Sequence, residues 1–174
     1  ERKAVLGRMR KQITVSSPDS WNAPLQESKL IDGEPIDRLV EQPTDQRLLT
    51  QRYTQRATAF IKNHSATDKP FFLYLAYTMP HTPLFRSEDF VGKSKAGRYG
   101  DVIEEIDWSV GRIVDTLQQQ GLDKNTVIVF TSDNGPWLVM KQHGGSNGPL
   151  NNGKGTTFEG GMRVPGIFWS PGLI

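Results

Sequence analysis

Thr126-Val127-Ile128-Val129-Phe130-Thr131-Ser132-Asp133-Asn134-Gly135 is the stretch on which the reading of this chain turns. Thr126 to Phe130 are β-branched or aromatic without a break, so they predict a strand buried on both faces. The run stops at a carboxylate, an amide and a glycine. In open α/β sheets ligands bind just beyond the carboxyl ends of strands, which puts Asp133 and Asn134 where chemistry tends to occur. Both offer oxygen ligands suited to a hard cation such as calcium or magnesium. The competing reading of the same residues is a plain Asp-Asn-Gly turn.

Working outward, a second unbroken apolar run, Phe71-Phe72-Leu73-Tyr74-Leu75-Ala76-Tyr77, leads into the proline-bracketed loop Thr78-Met79-Pro80-His81-Thr82-Pro83. Val102, Ile103, Ile106, Val110, Ile113, Val114 and Leu117 repeat at three- and four-residue spacing, which predicts an amphipathic helix over about 99–120. Gly121 should end it in the left-handed conformation. Strand, helix and strand then form a βαβ unit with parallel strands and a right-handed crossover. Parallel strands place their carboxyl ends on one edge, so His81 and Asp133-Asn134 are expected on the same side of the sheet.

Thr44 opens another helix, with Asp45 in its first turn and Leu48, Leu49, Tyr53, Ala57, Phe60 and Ile61 on one face through about residue 63. Residues 1–43 carry prolines at 18, 24, 35 and 43 and read as an extended surface region, with Val5 to Val15 open between helix and strand. Asn63-His64-Ser65 fits a glycosylation sequon. Downstream of Gly135 the chain turns glycine-rich, Thr156-Thr157-Phe158-Glu159 fits a capping box, and Val164 to Trp169 predicts a further buried strand.

Composition limits the function classes. The 174 residues, 36% hydrophobic and 23% charged, describe an ordinary globular protein, read as part of one domain. A net charge of +2 argues against nucleic acid as partner, and no apolar run reaches membrane-spanning length. There is no cysteine, hence no thiolate metal site.

Four residues stand out as chemical candidates: Asp133, Asn134, His81 and Lys154. Lys154 lies between Gly153 and Gly155, where backbone can approach a ligand and an ammonium can meet an anion. A cation, a histidine and a lysine around one pocket suit hydrolysis of a charged ester, with His81 and Lys154 stabilising developing charge or donating protons. Glu104 and Glu105 are neighbours on a helix, point in different directions and make no catalytic pair. His64 and His143 have no evident partner.

Gly144-Gly145-Ser146-Asn147-Gly148-Pro149 and Gly153-Lys154-Gly155-Thr156-Thr157-Phe158-Glu159-Gly160-Gly161-Met162-Arg163, downstream of Asp133-Asn134-Gly135, resemble the type I sulfatases, in the branch of arylsulfatase A and N-acetylgalactosamine-6-sulfatase. The resemblance runs from residue 43 to 174. It implies an alkaline-phosphatase-like α/β fold, a mostly parallel sheet flanked by helices, and hydrolysis of aryl or carbohydrate sulfate esters. Asp133 and Asn134 match two of the family's calcium ligands, Lys154 the lysine on the sulfate, and His81 the histidine beside the leaving-group oxygen. By family the expected compartment is lysosomal, periplasmic or extracellular.

The family's nucleophile is a formylglycine made in a Cys/Ser-x-Pro-x-Arg motif. This chain has no such motif; Ser16-Ser17-Pro18-Asp19-Ser20 lacks the arginine. The paired aspartates that complete the calcium site and the upstream Lys-x-His segment are absent as well. The expectation is therefore a segment of one catalytic domain over 1–174, with 1–43 ill-defined and 44–174 carrying the helix, the βαβ core and the glycine-rich loop. Such a segment should be inactive alone and bind calcium weakly. The alternatives are a phosphatase or phosphodiesterase of the same superfamily, and a sulfatase-like protein that only binds.

Overall fold

The computed structural model describes residues 22–67 and 69–174. The readings made on Val5–Val15 and on Ser16–Ser20 lie outside them.

Residues 22–43 are not an extended loop. Strands β1 (Leu25–Ile31) and β2 (Glu34–Glu41) pair antiparallel as a hairpin, in register Ile31↔Glu34 and Lys29↔Ile36. The turn is Asp32-Gly33, both at positive φ (53° and 86°). That is the dihedral pattern a two-residue hairpin turn of the primed type demands, and Asp-Gly supplies it at low cost. Glu41 at the end of β2 accepts from the Arg52 guanidinium at 2.5 and 3.3 Å, tying the hairpin to the next helix.

That helix starts as a single 3-10 turn, Gln46–Leu48, whose first N–H groups are capped by the Asp45 carboxylate accepting from Arg47 N at 3.1 Å. It continues as α1 (Leu49–Ser65), with Leu49, Ala57 and Ile61 buried along one stripe. Helix α2 (Gly97–Gln119) packs across it. At their crossing, Thr54 Oγ1 and Ser109 Oγ lie 2.5 Å apart, and Ser109 Oγ also lies 2.7 Å from the Tyr77 hydroxyl, so the buried hydroxyls satisfy one another. Gly121 (φ 69°) ends α2: its N–H donates to Gln118 O at 3.0 Å and Leu122 N–H to Leu117 O at 2.9 Å, the paired bonds of a Schellman cap.

The core gathers Met79, Leu84, Phe85, Val102 and Ile106, with Tyr77, Tyr99 and Phe130 packed against it. It therefore joins the His81 loop, α2 and the strand of the opening stretch.

The parallel βαβ pairing is not found among the described residues. Strand β3 (Ile128–Thr131) pairs antiparallel with β4 (Gly166–Trp169), Ile128 opposite Trp169 and Thr131 opposite Gly166, while residues 71–77 join no ladder. Nor are these strands buried on both faces. Thr126, Ile128 and Phe130 face inward, while Val127 and Val129 remain 49% and 53% exposed. Residues 71–77 alternate in the same way, with Phe72 and Tyr74 at 88% and 80%. In β4, Ile167 and Phe168 are exposed too. Tyr77 and Phe130 are the side chains by which these segments pack against the core beneath the helices. Among the described residues no helix is long and apolar enough to cross a membrane.

Candidate functional site

His81 sits on the 78–87 loop, which two buried carboxylates of α2 hold from below. Asp101, 2% exposed, accepts from Arg86 Nε at 3.2 Å, Gly92 N at 3.0 Å and Ser94 N at 2.9 Å. Burial pushes its carboxyl up, but the two amides and the guanidinium outweigh burial and leave it below the ordinary range. Glu105, 1% exposed, accepts from Ser87 N at 3.0 Å, and burial pushes its carboxyl above the ordinary range despite that bond. Glu104, its neighbour, faces solvent, so the two form no dyad. On the loop itself, Phe85 N–H donates to the Met79 sulfur at 3.3 Å. His81 Nδ1 lies 2.7 Å from Thr82 O. A carbonyl only accepts, so Nδ1 carries a hydrogen, and Nε2 is the ring nitrogen left to take up or release a proton.

Asp133 and Asn134 follow directly on β3. Asp133 is exposed, Asn134 half-buried, and the Ser132 hydroxyl donates to Asn134 O at 3.0 Å. Beyond them the backbone is stitched to the glycine-rich loop at three places: Gly135 N–H to Gly161 O at 3.0 Å, Trp137 N–H to Gly144 O at 3.0 Å, and Lys154 N–H to Pro136 O at 2.9 Å. Glycine is needed where these strands of backbone touch. A Cβ on Gly135 would run into the Gly160 carbonyl oxygen, and one on Gly153 into the Pro136 carbonyl oxygen. The capping box at Thr156-Glu159 does not form. Thr156 Oγ1 donates to Gly153 O at 2.8 Å instead, and the short helix α3 (Glu159–Met162) starts after Phe158 with no side-chain cap.

These bridges bring His81 and Lys154 to one side chain that the sequence reading passed over. The Trp137 ring centroid lies 6.1 Å from that of His81, tilted by 40°, and 5.5 Å from Lys154 Nζ. The only sequence signal for it was an aromatic residue two positions after Gly135. His64 and His143 lie outside this grouping. The His64 ring bonds to Phe60 O within its own helix, and burial, with Arg98 adding, pushes His143 below the ordinary range.

Among the described residues no group of three or more His, Asp or Glu side chains could hold a metal ion. The donors Asp133 and Asn134 are hard oxygens, which fit a calcium-like cation in kind, but they fall short of the six to eight ligands such a cation takes.

Residues 13–174 match the family model described as Sulfatase, and the chain belongs to the sulfatase family. It is 50% identical over 149 residues to N-acetylgalactosamine-6-sulfatase of Mus musculus, covering 82% of this chain and 29% of that protein. It is 46% identical over 141 residues to steryl-sulfatase of Homo sapiens, covering 78% and 24%. Among solved structures it resembles the PsFucS1 sulfatase from Pseudoalteromonas sp., with a TM-score of 0.73 and 32% identity over 80% of this chain and 28% of that one. The fold is thus a part of the alkaline-phosphatase-like sulfatase domain, and the chain spans less than a third of the length of these relatives.

Proposed function

We propose that this chain supplies one side of the active site of a sulfuric ester hydrolase acting on aryl or carbohydrate sulfates. The observation that carries the reading is the convergence of His81 and Lys154 on Trp137, three positions after Asn134 in the sequence, in a chain of sulfatase ancestry. Lys154 presents a fixed positive charge to the sulfate oxygens and offsets the charge that grows on them in the transition state. His81, its Nδ1–H held by Thr82 O, keeps one tautomer and can exchange a proton through Nε2 at the leaving-group oxygen. Asp133 and Asn134 would hold a calcium ion, with the remaining ligands from elsewhere in the full-length polypeptide; when bound, the ion supplies positive charge to the sulfate. The nucleophile in this reading is a formylglycine, also contributed from outside this chain.

The test uses the full-length protein and two matched substrates, 4-nitrophenyl sulfate and 4-nitrophenyl phosphate. The sulfate ester should be cleaved with the higher kcat/KM, and chelation of calcium should abolish turnover. Lys154→Ala should cost about 10²–10³ in kcat. Preference for the phosphate ester, or an unimpaired Lys154→Ala enzyme, would refute the reading.

A further inference from the structure

Lys154 has a long flexible stem, so the bond from its N–H to Pro136 O fixes its main chain but does not by itself aim the ammonium. Among the described residues it forms no salt bridge. Its charge-stabilising neighbour is the Trp137 ring, 5.5 Å away and inside the range of a cation–π contact. The Trp137 main chain is well anchored. Trp137 N–H donates to Gly144 O at 3.0 Å and its carbonyl accepts from Met140 N at 2.9 Å, while the indole is half-buried and its other neighbour is the His81 imidazole.

A carboxylate in the same place would also orient the ammonium, but it would cancel the charge and repel an incoming sulfate. An aromatic face attracts a cation through its quadrupole and carries no net charge. The ammonium is then oriented and still fully available to an anion.

We propose that Trp137 is a positioning residue: its indole aims Lys154 at the sulfate of the substrate without neutralising it. This rests on the sulfatase reading above for the identity of the anion. The same ring needs no metal to act.

A double-mutant cycle in the full-length protein tests it, read both as kcat/KM on 4-nitrophenyl sulfate and as affinity for inorganic sulfate by calorimetry. Trp137→Leu, which keeps an apolar side chain but removes the quadrupole, should lower both quantities by about 2- to 30-fold. Trp137→Phe should recover most of the loss. In a Lys154→Ala background Trp137→Leu should cost nothing further. An equal loss in both backgrounds would show that the ring acts on the fold alone and would overturn the proposal, as would a Trp137→Leu protein indistinguishable from wild type. If the wild-type protein cleaves no sulfate ester, the sulfatase reading fails, and the cycle on sulfate affinity still decides: coupling upholds the positioning role and additivity overturns it.

Discussion

Asp101→Asn removes one charge and no volume from the carboxylate that anchors the His81 loop. The carboxylate is 2% exposed and accepts three N–H groups, from Arg86, Gly92 and Ser94, at 2.9 to 3.2 Å. Whichever way the asparagine amide turns, its NH2 faces at least one of those donors, and Arg86 loses its counter-charge. Hydrogen bonds to a charged group contribute about 1.5–3 kcal/mol each, and breaking a buried ion pair costs about 3–5 kcal/mol. The contributions overlap, because one acceptor survives, so the expected loss is about 3 kcal/mol in the unfolding free energy from urea titration of the full-length protein. Arg86→Gln leaves both backbone amides on the carboxylate and should cost less, about 1 kcal/mol.

The sign of the pH dependence follows from the depressed carboxyl. Its contribution is present above the ordinary value of 3.8 and is lost as pH falls through the lower folded value, so wild type and Asp101→Asn should converge only in strong acid. The His81 loop should loosen at neutral pH, with kcat/KM falling alongside stability. An Asp101→Asn protein within about 0.5 kcal/mol of wild type, or an Arg86→Gln protein that loses more, would refute the reasoning.

Glu105 should behave in the opposite sense. Burial raises its carboxyl, so its contribution is present at pH below 4.5 and is lost as pH rises through the raised folded value. Glu105→Gln, which mimics the protonated form and still accepts from Ser87 N, should flatten that slope and fall within about 1 kcal/mol of wild type at neutral pH; urea titrations across pH check it. Gly135→Ala should destabilise by about 1–3 kcal/mol, because its Cβ meets a backbone carbonyl that cannot rotate away. Gly111→Ala, with nothing within 4 Å on the exposed side of α2, should instead stabilise by up to about 1 kcal/mol by raising helix propensity.

The sequence was most legible where local chemistry and tertiary role agree. The α2 stripe placed a helix at 99–120 against 97–119 observed, and Gly121 forms the cap its position called for. The Asp32-Gly33 hairpin was missed because its strands are polar and solvent-exposed, so they lack alternation and the scattered prolines dominated. The sheet misled for the opposite reason. An unbroken apolar strand signals the environment for which its sequence is suited, two covered faces, whereas in 71–77 and 126–130 the described residues cover only one of them. Val127, Val129, Phe72 and Tyr74 are the apolar side chains left on the uncovered face.

The candidate site divides in the same manner. His81 and Lys154 announced themselves through proline brackets and glycine neighbours, and the structure sets them around one ring. Trp137, Asp101 and Glu105 did not, since an aromatic after a turn and two acids on a helix are common. Their roles depend on contacts across 15 to 56 positions of chain, between Arg86 and Asp101 or His81 and Trp137, which no local pattern encodes.

The central claim is that Asp133, Asn134, His81 and Lys154 serve one sulfate in one pocket. A crystal structure of the full-length protein with calcium and inorganic sulfate tests it most directly. The account predicts a single calcium bound by side-chain oxygens of Asp133 and Asn134, and a sulfate with Lys154 Nζ and His81 Nε2 within roughly 3.2 Å of its oxygens. A sulfate bound elsewhere, or a calcium site that leaves out Asp133 and Asn134, would contradict it.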